Sequence, residues 1–338
     1  MATKINLALQ GGGAHGAFTW GVLDRLLQDN SIEIAAISGT SAGALNAAAL
    51  KAGMIAGGRA GARDSLARLW RDVGRVSDLR IPGWMQPMVP GLQALGQIAL
   101  SMSPFSPQGM AAQVYTPYAW GPAWRNPLER IVRRLDFSTV CHSDGPQLFI
   151  GATRVDTGRI RIFSGDQITP EALMASACLP TVFQAVEIDG HAYWDGGYSG
   201  NPALFPLYQA HLPDDVVIVS INPFVRDGVP MTPIDIQNRV NEVSFNAALL
   251  GELRAVHFVR RLIRDGRLER GSMKSVRTHL ISDDAMMTEM TGATKLSPSP
   301  ALFERLRGAG YAAADGFLEN HGTKLGHEAS LDLATLFG

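Results

Sequence analysis

Charge is scarce in this chain. Asp, Glu, Lys and Arg make up 18% of its 338 residues, and 30 Lys+Arg against 31 Asp+Glu leave a formal net charge of -1. Proteins that coat nucleic acid carry a basic excess, so no nucleic-acid partner is expected. Cysteine is scarcer still, with Cys141 and Cys178 the 2 present. Two thiols build no disulfide framework, and without a CxxC pair they give no zinc signature. They read as inert thiols in a reducing compartment, and no metal or other cofactor is expected. Residues Met1 to Leu9 lack a basic segment followed by an apolar stretch, so no signal peptide is expected. No unbroken run of about 18 apolar residues occurs, which argues against a membrane-spanning helix. These absences predict a cytoplasmic protein that is at most peripheral to a membrane. Apolar residues, by contrast, reach 46%. That is enough for a sizeable core and excludes a mostly disordered chain.

The apolar residues are patterned as α/β. Residues 5–10 alternate as a short strand through Ile5, Leu7 and Leu9. A glycine cluster and a helical pattern through Phe18, Val22, Leu23 and Leu26 follow. Residues 33–38 read as a second strand, followed by a glycine-containing turn and helices near 44–56 and 62–72. Strand, glycine turn and helix, twice in succession, open a parallel sheet. Further on, 127–135 reads as helix, 147–155 and 159–165 as a hairpin, and 170–177 as a short helix. Residues 185–188 and 191–194 flank Asp189-Gly190, the strongest hairpin signal in the chain. The run 216–221 is apolar throughout, as in a strand covered on both faces. A long amphipathic helix (234–265), a strand (277–282) and a last helix (301–319) complete one domain over 1–325. Residues 326–338 read as a C-terminal tail.

Two stretches stand out by charge. Residues 81–124 contain no Asp, Glu, Lys or Arg but seven prolines, with Trp84, Trp120 and Trp124. The prolines exclude one long helix, so this reads as an inserted apolar cap with a short helix near 92–101 that can bind acyl chains or meet a lipid boundary. Packing on the core or on a second subunit is the plainer reading, and oligomers are compatible with it. Residues 254–277 hold eight Lys/Arg against Asp265 and Glu269. This segment could contact an anionic membrane, although a solvated helix face is the favoured account.

Three motifs carry chemistry. Gly11-Gly12-Gly13-Ala14-His15-Gly16 follows a strand and precedes a helix, where backbone N–H groups can converge on an anion. It satisfies the dinucleotide pattern GxGxxG, but the acid expected at the end of the next strand is at its start, as Glu33. An oxyanion hole uses the same converging donors. Gly39-Thr40-Ser41-Ala42-Gly43 matches G-x-S-x-G, a sharp strand-to-helix turn that exposes a serine hydroxyl. None of the eight histidines has a catalytic signature around it, and His279 is the best placed of them. Asp195-Gly196-Gly197 follows an apolar strand end and offers a carboxylate base instead, although DGG alone reads as a turn.

In this order, GGGAHG, GTSAG, ASACLP (175–180) and DGG, the chain resembles the patatin-like phospholipase family over roughly residues 5–200, with weaker support to about 320. The resemblance implies a three-layer α/β/α fold with a mainly parallel central sheet. It implies a serine acyl hydrolase acting on lipid-like carboxylic esters, with Ser41 as nucleophile and Asp195 as base in a dyad without histidine. Gly11, Gly12, Gly13 and Ala14 become the oxyanion loop, and Gly39 and Gly43 flank the nucleophile elbow. Ala175, Ser176 and Pro180 match a block expected to be structural. This chain has His15 where the family commonly has Arg or Lys, so the resemblance does not extend to a fixed cation in that loop. Acyl transfer through the same acyl-enzyme, or a non-catalytic nucleotide- or lipid-binding module, are the alternative readings.

Overall fold

The computed structural model describes residues 2–78, 117–120, 126–180, 182–269, 271–290, 292–295 and 299–337. Strand β1 (Thr3–Leu9) leads through the glycine loop into α1 (Gly16–Leu26), then β2 (Ile32–Thr40) and α2 (Ala42–Asp78). The range of α2 holds two helices that meet at non-helical backbone at Gly57 and Gly58, in agreement with the two expected over 44–56 and 62–72. Two short helices, α3 (Leu128–Val132) and α4 (Phe137–Val140), precede β3 (Gln147–Arg154) and β4 (Ile160–Ser164). Next come α5 (Pro170–Ser176), β5 (Val186–Ile188), β6 (His191–Asp195), β7 (Asp215–Val219) and α6 (Pro233–Arg264). The chain continues with β8 (Arg277–Ile281), α7 (Asp284–Glu289), α8 (Gly292–Lys295), α9 (Pro300–His321) and α10 (Leu333–Phe337).

The strands form one sheet in the order β5-β6-β3-β2-β1-β7-β8, with β4 paired to β3. β3, β2, β1, β7 and β8 run parallel, while β4 and β6 pair with β3 antiparallel. The Asp189-Gly190 turn joins β5 to β6 with both residues at positive φ (52° and 75°), the geometry a two-residue hairpin needs. Side chains alternate across the sheet into two cores. Ile5, Leu7, Leu9, Val217 and Val219 face a core shared with α1, α2, α5 and α9. Ala8, Ala36, Val216 and Ile218 face Leu249, Leu253 and Val256 of α6 and Leu333 of α10. This is the mainly parallel three-layer α/β/α fold expected.

Residues 326–337 pack against the body: Leu331 N–H donates to Thr278 O at 3.0 Å, and Leu333 is buried. Apart from Pro117–Trp120, a single 3-10 turn, the cap expected over 81–124 lies outside the described residues. Among the described residues no helix is long and apolar enough to cross a membrane.

Candidate active site

Parallel strands bring their C-terminal ends to one edge. Leu9 stands opposite Gly39 of β2 and Val219 of β7, so Gln10, Ser41 and Ser220 leave the sheet at nearly one level. From β1 the chain winds to β2 on one side, and β7 lies on the other. Open α/β sheets bind ligands at such a switch point. Gln10 ties the strand ends together from a fully buried position. Its Oε1 accepts from Ile221 N–H at 2.9 Å and Asn222 N–H at 3.1 Å, and its Nε2 donates to Asn246 Oδ1 at 3.1 Å.

Ser41 sits at the strand-to-helix turn with φ 54°, a left-handed conformation uncommon for a residue with a side chain. Its N–H donates to Ser176 Oγ at 2.9 Å, and its carbonyl accepts from Leu45 N–H at 3.1 Å. The turn is tight because glycine permits close approach. A Cβ on Gly43 would lie 2.2 Å from Leu9 O, and one on Gly11 would lie 2.6 Å from Ser41 Cβ.

Register explains how Asp195 reaches Ser41. Thr40 pairs with Gly151 of β3, and Asp195 pairs with the next residue, Ala152. β4 takes the other edge of β3 through these same residues, so β6 follows β2 along one edge and the Ser41 turn and Asp195 meet end to end. Asp195 is fully buried. Its Oδ1 accepts from Gly197 N–H at 2.8 Å, and its Oδ2 has no hydrogen-bond partner among the described residues. Burial pushes its pKa up to about 7, while Gly197 N–H and the Ser41 hydroxyl draw it down. The hydroxyl is thus within electrostatic reach of the carboxylate without a closed hydrogen bond, a common state of unliganded sites.

The 175–180 block has a specific structural part. Besides Ser176 Oγ on Ser41 N–H, Cys178 O accepts from Asp195 N–H at 2.8 Å. One short segment thus brackets both chemical groups. The Cys178 thiol donates to Gln184 O at 3.0 Å, and burial pushes its pKa up to about 12, which leaves it inert.

Ser41 and Asp195 line a cleft of about 250 Å³ together with Gly12, Gly13, Tyr198 and Phe245. The N–H groups of Gly12 and Gly13 are not taken up by another group among the described residues. Gly11, expected among the oxyanion donors, differs: its N–H donates to Asn201 Oδ1 at 2.7 Å and so cannot serve a ligand. Its part is to let the loop lie against Ser41. Ala14 is buried and lies outside the cleft lining.

The histidines separate clearly. His279 is fully buried in β8, with Nε2 3.0 Å from Asp215 Oδ1 and Nδ1 3.0 Å from Ser330 Oγ. Asp215 opens β7, so this pair sits toward the sheet end away from Ser41. His15 lines the cleft, with Nε2 2.7 Å from Thr294 Oγ1. Burial, aided by Lys295, pushes its pKa down to about 3, so the ring is neutral. Glu33 is the second residue of β2 and pairs with Lys4 at 3.2 Å, far from the end where a ribose would need it. Among the described residues no group of acidic, histidine or cysteine side chains could hold a metal ion. Lys295, which lines the cleft beside the glycine loop, and Asn222, which accepts from its Nζ, carry no local sequence signal; a lone lysine in a Thr-, Ser- and Pro-rich stretch reads as solvated loop.

No curated protein matches the chain. Among solved structures, VipD from Legionella pneumophila is similar over 94% of this chain and 67% of its own, at 17% identity and a TM-score of 0.43. ExoU of Pseudomonas aeruginosa, solved with SpcU from the type III secretion system, is similar over 94% of this chain and 52% of its own, at 19% identity and a TM-score of 0.34. The chain spans about half the length of that second protein. The family model of patatin-like phospholipase matches residues 7–210. That range is more than half of the chain and contains the glycine loop, the Ser41 turn, the bracketing block and Asp195, so the chain belongs to the patatin-like phospholipase family.

Proposed function

We propose that the protein is a serine acyl hydrolase, a lipase or esterase of phospholipase A type. It cleaves carboxylic esters of lipid-like substrates through an acyl-Ser41 intermediate. The observation that carries the reading is the meeting, in one cleft, of a strained serine turn, a buried carboxylate with one oxygen unpartnered among the described residues, and two backbone N–H groups that no described residue takes up.

Ser41 Oγ attacks the acyl carbonyl while Asp195 Oδ2 takes the hydroxyl proton. The oxyanion receives hydrogen bonds from Gly12 and Gly13 N–H at the entrance to α1, whose dipole adds positive potential. The alcohol leaves with the proton held by Asp195. Water, deprotonated by the same carboxylate, then releases the acid and restores Ser41. A carboxylate near its ordinary pKa is a poor base for an alcohol; one raised to about 7 is better matched to neutral pH. His15, with a pKa of about 3, is a weaker base than Asp195.

The test is covalent labelling with a fluorophosphonate probe, alongside hydrolysis of medium-chain nitrophenyl esters. Ser41→Ala is expected to abolish both, and Asp195→Asn to lower turnover at least ~10²-fold, as loss of a general base does. A single His→Ala variant as inactive as Ser41→Ala would replace the dyad by a triad.

A further inference from the structure

We infer that Ser330 is a second nucleophile, activated by His279 and Asp215, which accepts an acyl group from a small anionic donor of the acyl phosphate class. The site lies toward the sheet end away from Ser41 and does not rest on the hydrolase reading.

The three side chains are linked in line by hydrogen bonds. Asp215 is buried and held ionised by Arg277 at 2.7 Å, and its Oδ1 stands 3.0 Å from His279 Nε2. His279 Nδ1 stands 3.0 Å from Ser330 Oγ and also accepts from Ser330 N–H at 3.3 Å. An N–H aimed at Nδ1 needs a lone pair there, so the ring proton sits on Nε2 and is donated to Asp215. The same lone pair then accepts from the Ser330 hydroxyl. A hydroxyl on an unprotonated imidazole nitrogen, with a carboxylate behind the other nitrogen, is the arrangement that makes a serine nucleophilic. His279 is fully buried, which keeps water from competing for that lone pair.

Ser330 itself is half-buried and lines a groove of about 570 Å³ with Arg260, Arg261, Arg264 and Lys324. Asp332 is the one acid in that lining. Arg264 and Lys324 meet exposed partners, Asp265 at 3.2 Å and Glu328 at 3.6 Å. Arg260 is half-buried, and among the described residues no carboxylate lies within ion-pair distance of it. A groove of this sign draws in an anion and stabilises one that gains charge as it leaves. In the step this geometry allows, Ser330 Oγ attacks the acyl carbon, and the Oγ–C bond forms as the C–O bond to phosphate breaks. The hydroxyl proton passes to His279 Nδ1 and on to the departing group, which leaves as hydrogen phosphate. A neutral ester or fluorophosphonate brings no charge to the groove, so those probes report Ser41.

The experiment uses the full chain carrying Ser41→Ala, so that the cleft takes no acyl group. It is treated with acetyl phosphate, folded and in urea, and O-acetylation of Ser330 is followed by peptide mass mapping. The folded chain is expected to react at Ser330 about a hundredfold faster than the unfolded one, as a positioned general base provides. Inorganic phosphate is expected to slow it by competition. His279→Gln keeps a hydrogen-bonding side chain but no base, and is expected to bring the rate to within about threefold of the unfolded chain. Arg260→Met is expected to lower the rate with acetyl phosphate about tenfold and to leave that with neutral N-acetylimidazole within about twofold. A folded chain that reacts no faster than the unfolded one overturns the inference, and this comparison stands even if His279→Gln fails to fold. So does a folded His279→Gln chain as reactive as its parent. Equal losses on both donors in Arg260→Met would show an arginine that only supports the packing of residues 326–337 and would overturn the anionic donor class. Fluorophosphonate labelling of Ser41 in a Ser330→Ala chain is expected at the parental rate whichever way these results fall, so the hydrolase reading is tested separately.

Discussion

Asp195 carries its charge at a cost to folding. The folded carboxyl titrates near 7 against an ordinary value of 3.8, because burial disfavours the anion more than Gly197 and Ser41 favour it. The native state therefore holds this proton more tightly than the unfolded chain does. Ionisation costs nothing well below pH 3.8; the cost grows through that value and is complete above 7. A gap of this size corresponds to about 4 kcal/mol at full ionisation. Asp195→Asn keeps an acceptor for Gly197 N–H and removes the buried charge. It is expected to raise the unfolding temperature at pH 8, with the gain shrinking toward pH 4, in thermal melts across that range. In the wild type kcat/KM is expected to rise with pH through about 7, because the base is the ionised form. An inactive variant that is more stable than its parent is what a functional strain predicts.

At the scale of elements, β7 and β8 hold a buried charge network away from the cleft. Asp215 accepts from Arg277 at 2.7 Å, from His279 at 3.0 Å and from Gly326 N–H at 3.0 Å. Burial alone would raise its pKa, but these hydrogen bonds outweigh it and hold the carboxyl well below the usual range. The network fastens the chain after α9 to the start of β7. His279→Gln is expected to destabilise the fold by about 1–3 kcal/mol in denaturant unfolding, the usual effect of an impaired buried polar pair. Its folded fraction is expected to be labelled at Ser41 at the parental rate. His279 stood out among the histidines because it sits just before the apolar end of a strand; its acid partner, Asp215, is supplied by the fold. Which end of the strand that partner occupies is decided by the β7–β8 register, Val217 opposite His279. Ser41 and Asp195 were legible because glycine motifs at strand ends state their own local geometry. Ser176 was legible only as structural, since its bond to Ser41 N–H spans 135 positions.

At the scale of the whole molecule, α6 separates two regions of opposite use. Its first half lines the cleft through Asn241, Glu242 and Phe245. Its last turn holds Arg261 and Arg264, about 24 Å or more further along at 1.5 Å per residue. Arg260, Arg261, Arg264 and Lys324 border a separate groove beside Ser330 and Leu331. A membrane held by this basic end would meet the protein about 24 Å along α6 from the cleft. Charge reversal at Arg261 and Arg264 is therefore expected to change hydrolysis of esters in anionic vesicles by less than about twofold. A tenfold loss in a vesicle assay would instead assign membrane docking to that end.

Local chemistry was readable in one dimension. Alternation marks strands, glycine marks the turns where backbone must approach backbone, and the order of four motifs points to the family. These signals are local because backbone sterics and side-chain period act over a few residues. What surrounds the reacting groups was not readable, because it is assembled from distant segments by strand order and register. Pairing along one edge of β3 sets Asp195 beside Ser41; Asn201 withdraws Gly11 N–H from the donors; and Lys295 enters the cleft from a stretch with no motif of its own. Burial and field at a site depend on neighbours in space, so the charge that meets the substrate is a property of the folded chain.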